Sequence, residues 1–313
     1  MVRRRIKFDE IKRKNNDERN KSLSLQRKSF KSYKAMYNFT YIPKEEQDLD
    51  DKLVNLYASH LLDLYSAERP IYESNDYPVK PALPFLLWLK DDAKEWIAAD
   101  VKILIYGRET NGWEDGNPKS ETYKISPNWE LKDSDDIRKE VDAIQEIYNA
   151  FFNFLTQQEK SNKYFDRGFY PLLRLLEDAF PQKKVNCVWN DISKIGNGND
   201  IQGKKASRGL PESYIHYIEM ANFNVSQAEI DILQPDVVIF LAGKNADSLI
   251  KEKFGVEEFV PISYDYPDLA VVDIKNAKFA LRAGFNHPSV GLSNETMGKY
   301  YPKIAELIKE RFE

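Results

Sequence analysis

Short apolar runs that end abruptly in glycine or in small polar residues alternate along this chain with longer stretches of helical period. The runs at 101–106, 185–189 and 237–242 are rich in β-branched and aromatic residues and are followed by Gly107, Asn190 and Gly243. Runs of this kind read as strands buried on both faces of a sheet. Two further runs, 271–274 and 278–282, read as a hairpin or paired strands turning at 275–277. Between them the spacing predicts helices at 48–66, 85–98, 135–158, 169–180, 211–222, 226–234, 245–254 and 294–312. Ser134 is placed to cap the third of these, Pro235 to stop the sixth and Pro302 to kink the last. The four prolines of 69–84 mark a loop. Strands alternating with helices imply an α/β fold on a mainly parallel sheet.

The 313 residues are enough to bury a core without staples. Cys187 is the one cysteine, and His60, His216 and His287 are the three histidines, widely spaced. That excludes an internal disulfide framework and a multi-cysteine zinc site and argues against a histidine-rich metal site. The longest apolar runs, 83–89 and 237–242, have six or seven residues, whereas a membrane-spanning helix needs about 20. No apolar stretch follows the basic N-terminus, so the expected setting is reducing and cytoplasmic, without a membrane.

Charge is uneven. Residues 1–34 hold thirteen Lys/Arg against four acids, so the remainder carries thirty-three against forty-six. A basic arm on an acidic body is a candidate tether to nucleic-acid phosphates, or a solvated terminus. The expected organisation is a basic arm at 1–34, a helical extension at 35–99 and an α/β domain at 100–313.

In open parallel sheets ligands bind beyond the carboxyl ends of the strands. The strand ends here read Gly107-Arg108-Glu109-Thr110-Asn111, Asn190-Asp191-Ile192-Ser193, Gly243-Lys244-Asn245 and Ala283-Gly284-Phe285-Asn286-His287-Pro288-Ser289. Taken singly, Glu109 is a loop carboxylate, Asn190 a turn former and His287 a loop histidine. Together they are what a site on such a sheet requires. The chain lacks a phosphate-binding P-loop, a complete dinucleotide fingerprint, a nucleophile elbow and a zinc-protease motif.

The segments ILIYGRETNGW (103–113), VNCVWNDISKI (185–195), PDVVIFLAGKNAD (235–247) and RAGFNHPS (282–289) resemble the uracil-DNA glycosylase superfamily in order and spacing. The resemblance covers about residues 100–312. It implies a three-layer α/β/α fold with a four-stranded, mainly parallel sheet. It also implies excision of a base flipped out of DNA, single-stranded or damaged, without metal or cofactor. Glu109 would then orient or deprotonate water, and His287 would donate a hydrogen bond to the departing base. Asn190 would read the polar edge of uracil, and Gly107 would let backbone approach the substrate. Ser289 would bind a phosphate. Asn111 and Asn286 join the substrate-binding set, Tyr123 or Trp113 would stack on the base, and Leu292 is the candidate wedge into the duplex. Three departures stand out: Thr110 in place of the family proline, Val290 after His-Pro-Ser, and Glu109 where the most active branch has Asp. They keep two other readings open. One is a base-binding module that has lost the chemistry; the other is an N-glycosidase of nucleosides or nucleotides.

Overall fold

The computed structural model describes residues 49–74, 79–89, 93–109, 127–157, 168–200, 212–285 and 292–313. The helices are α1 (Leu49–Glu73), α2 (Ala93–Ile97), α3 (Ser134–Gln157), α4 (Tyr170–Ala179), α5 (Glu212–Asn222), α6 (Ser226–Leu233), α7 (Asp247–Phe254) and α8 (Asn294–Phe312). The strands are β1 (Val79–Pro81), β2 (Val101–Glu109), β3 (Val185–Ser193), β4 (Asn197–Asp200), β5 (Val237–Phe240), β6 (Val260–Pro261), β7 (Leu269–Val271) and β8 (Phe279–Ala283).

The α/β class is as expected, but the sheet is not the four-stranded one. It has six strands in the order β3-β2-β5-β8-β7-β6 and is mixed. β3, β2, β5 and β8 pair in parallel, whereas β7 pairs antiparallel with both β8 and β6. The cause of the reversal is local. Asn276 takes a positive φ of 64° in the turn before β8, and so short a link can only return the chain antiparallel. β1 and β4 form a separate two-stranded sheet.

The sequence places most elements but misjudges three. The 85–98 helix shrinks to α2. The segment 82–89 before it is irregular, and Leu83, Phe85, Leu86, Leu87 and Leu89 are buried within it. Its apolar residues lie on all sides, and Pro81 and Pro84 disfavour helix. Its backbone instead bonds outward, Ala82 N to Gly196 O and Phe85 N to Lys194 O. Conversely, α1 runs through Pro70 to Glu73. Lys80 Nζ donates to the carbonyls of Ile71 (2.6 Å) and Ser74 (2.7 Å), so a cation caps that helix end. The side chain that caps α3 belongs to Asp133 rather than Ser134, because its Oδ1 accepts from Asp136 N at 2.9 Å.

The helix of the expected N-terminal extension shares the common core. Leu53, Tyr57, Leu61, Leu64 and Ile71 form its buried stripe, a spacing that keeps them on one face. α1 packs against α3, α5 and α6, while α4 packs against α8. Among the described residues no helix is long and apolar enough to cross a membrane.

Candidate functional site

From β2 the chain passes to β3 on one side, while from the adjacent β5 it passes to β6, β7 and then β8 on the other. Strands that diverge in this way leave a crevice beyond their carboxyl ends. Both flanking strands run further, or stop sooner, than their apolar residues suggest. β2 continues to Glu109 and β3 to Ser193, so Gly107-Arg108-Glu109 and Asn190-Asp191-Ile192-Ser193 are paired strand rather than loop. β5 ends at Phe240, and the chain leaves it through Gly243, whose φ of 74° an L side chain would resist.

The register sets Gly107 beside Asp191 and Glu109 beside Ser193. Alternation then puts Trp189, Asp191, Gly107 and Glu109 on one face of the sheet, with Tyr106 and Asn190 on the other. Gly107 has a packing role within the sheet. A β-carbon there would lie 2.6 Å from Asp191 Oδ1 and closer still to Trp189 Cζ2. The missing side chain is the space in which these two neighbours lie.

Asp191 is 4% exposed. Burial pushes its carboxyl up to about 7; Lys194 and a hydrogen bond from Trp189 oppose that rise, and the charges of Glu109 and Glu219 add to it. Glu109, the last residue of β2, is exposed. An exposed carboxylate beside a carboxyl that holds its proton near neutrality is an arrangement suited to acid–base work.

The opposite face holds a buried ionic network. Asn190 is fully buried and its amide is committed. Nδ2 donates to Glu229 Oε2 at 2.9 Å, while Oδ1 accepts from Asp191 N at 2.8 Å and from Lys194 Nζ. Lys194 pairs with Glu229 Oε2 at 2.7 Å, both side chains being fully buried. Burial lowers the Lys194 ammonium from its usual range, and Glu229 restores part of that loss. The hydroxyl of Tyr57 donates to Glu229 Oε1 at 2.6 Å, and desolvation with this carboxylate raises it well above an ordinary phenol. A second group joins the end of β3. Ser193 Oγ (2.6 Å) and Lys194 N (2.7 Å) both donate to Glu219, which also pairs with Lys253. Lys253 Nζ donates in turn to Ile192 O at 2.8 Å.

The expected site residues therefore divide. Gly107, Glu109 and Asn190 lie together at the ends of β2 and β3, but Asn190 faces away from Glu109 and is held by protein partners. Leu292 does not project as a wedge; it is 1% exposed within the hydrophobic core. Asn111, Tyr123, Asn286, His287 and Ser289, and the basic arm at 1–34, lie outside the described residues. The sequence reading passed over Asp191, Lys194, Glu219 and Glu229. A signal for Glu229 was present: Ser226, Glu229, Ile230 and Leu233 have the spacing of one helical stripe, so a carboxylate occupied an apolar face. No group of His, Cys, Asp and Glu among the described residues is arranged to hold a metal ion.

No protein-family model matches the chain, and no curated protein matches it.

Proposed function

We propose that this chain is a divergent DNA glycosylase that hydrolyses the N-glycosidic bond of uracil or another altered base. Its plan is the three-layer α/β/α arrangement of the uracil-DNA glycosylases, with α4 and α8 as one helical layer. The observation that carries this reading is the position of Glu109. It is an exposed carboxylate at the carboxyl end of β2, beyond the point where the neighbouring β5 has ended. Hydrolysis at that point needs an oriented water and a stabilised leaving group. Glu109 takes a proton from water as the water oxygen bonds to the sugar carbon, and its charge faces the oxocarbenium ion that develops. The electron pair of the broken bond leaves with the base, and His287, a few residues beyond β8, donates a hydrogen bond to it. The basic arm at 1–34 supplies phosphate contacts.

A second reading is a base-binding module on the same fold without the chemistry. The internal engagement of Asn190 favours it, because a committed amide reads no base edge.

The test is a single-turnover assay on oligonucleotides bearing one uracil, single-stranded or paired with G or A, followed by alkali. Strand scission lost in both Glu109→Ala and His287→Ala supports the glycosylase. Intact DNA binding without scission supports the binding module.

A further inference from the structure

We infer that the turn joining β6 to β7 carries a docking surface for a single nucleic-acid strand, on which a base stacks against Tyr264 while Lys299 meets a phosphate beside it. The inference rests on the reading above only in taking nucleic acid as the partner, and it names where the strand runs outside the crevice.

The place of this turn follows from the register. β7 runs antiparallel to β8, and Leu269 stands opposite Ala283. The residues just before β7 are therefore level with the carboxyl end of β8. Gly284 N donates to Asp268 O at 2.6 Å and ties the turn there. The antiparallel addition thus brings 262–268 to the same rim at which the chain leaves β5. Two strand spacings, about 10 Å, separate β5 from β7.

The surface at that place joins rings to cations. Tyr264 is wholly exposed. Tyr266, in the same turn, meets Tyr300 of α8 with ring centres 5.8 Å apart. Tyr300 meets Phe285, just beyond β8, at 5.2 Å. Lys299 is exposed, and its Nζ lies 5.6 Å from the centre of the Tyr266 ring and 5.3 Å from that of Tyr300.

The carboxylates nearby are mostly engaged. Asp268 accepts from Tyr300 and pairs with Lys244 at 2.7 Å, and Glu306 pairs with Lys303 at 3.0 Å. Lys299 has no carboxylate partner among the described residues. Its ammonium is held over two rings and stays open to an anion. Asp265, exposed beside Tyr264, repels a phosphate and directs the backbone of the strand toward α8.

A free ring next to an unmatched cation is what a single strand uses: every base has a face to stack, and every base brings a phosphate. The centre of a protein interface is instead depleted of charge, whereas here a cation sits over the rings.

The experiment titrates the full chain into a fluorescent single-stranded oligothymidylate of about 12 nucleotides and reads polarisation over a salt series. Tyr264→Ala should weaken binding by about 5–150-fold, while Tyr264→Phe, which keeps the ring, should stay near the parent. Lys299→Gln should lower the slope of log affinity against log salt by about 0.7. Asp265→Asn should tighten binding. Ile97→Ala, exposed at the opposite end of the sheet just before β2, should change nothing. Unchanged affinity in Tyr264→Ala would overturn the inference and leave this face to a protein partner. An equal loss in Tyr264→Ala and Tyr264→Phe would assign the effect to the hydroxyl and overturn it too. Weaker binding in Tyr264→Ala, with no base released from a uracil-bearing strand, would keep this surface and remove the glycosylase chemistry. A parent that binds no single strand would end both.

Discussion

Tyr57 and Glu229 stand 172 residues apart and share a buried hydrogen bond of 2.6 Å. It ties α1 to the carboxylate that holds Asn190 and Lys194 at the end of β3. The same hydroxyl accepts from Leu87 N at 3.2 Å. Tyr57→Phe keeps the ring and removes both contacts. We expect a loss of about 1–3 kcal/mol, the range for a buried charged acceptor left short of a donor. Urea denaturation should show a lower midpoint with an unchanged slope.

The pair Lys194–Glu229 is fully buried. Removing either partner alone strands a charge. Lys194→Met or Glu229→Gln should therefore cost about 3–5 kcal/mol each, and the double variant less than their sum. A thermodynamic cycle by denaturation measures the coupling; strict additivity would mean that the two side chains act independently.

Gly107→Ala would drive a methyl into Trp189 and Asp191. Both neighbours stand on β3, so the strands must part or the side chains must turn. Overpacking of this kind costs about 1–3 kcal/mol. The near-ultraviolet circular dichroism of the indole should change with it, whereas a glycine serving only ligand approach would leave both untouched.

The raised Asp191 carboxyl sets a pH dependence with a definite sign. Between the ordinary aspartate range and about 7, the folded chain keeps a proton that the unfolded chain has released. Stability from this group is full at low pH and is lost as pH rises toward about 7, after which it levels. Asp191→Asn should remove this downward slope from a plot of unfolding free energy against pH. The same slope in parent and variant would assign it to other groups.

Leu292 separates core from wedge. At 1% exposure its truncation to alanine should cost about 2–5 kcal/mol. A side chain that only enters DNA would leave stability unchanged and alter duplex binding alone.

The legible part of this protein was local. The unbroken run VVIF reveals β5 because a strand buried on both faces has no polar alternation to disguise it, and β2 and β3 are apolar runs interrupted only by Lys102 and Asn186. The start of the last helix is fixed locally as well, by Ser293, whose Oγ accepts from Thr296 N at 3.0 Å. Glu109 was legible as a carboxylate three residues beyond an apolar run, close to the rim of a sheet. The turn at Asn276 was legible too, but its consequence, an antiparallel edge of two added strands, was not. Strand order depends on which edges remain open once the helices have packed.

What only the tertiary structure decided is where charge goes. The apolar residues of 85–89 read as helix in sequence, whereas beside Pro84 its hydrogen-bonding groups are claimed by neighbouring backbone and side chains. Asn190 has the chemistry of a base reader until Glu229, itself held by Tyr57 from a distant part of the chain, and the nearby Lys194 engage its amide. Asp191 is an ordinary aspartate in sequence, and Gly107 and burial make it a proton holder. Residue identity fixes which bonds a group can make and period fixes which face it occupies. The partners that desolvate or neutralise it are set by contacts across the sheet, and no local pattern encodes those.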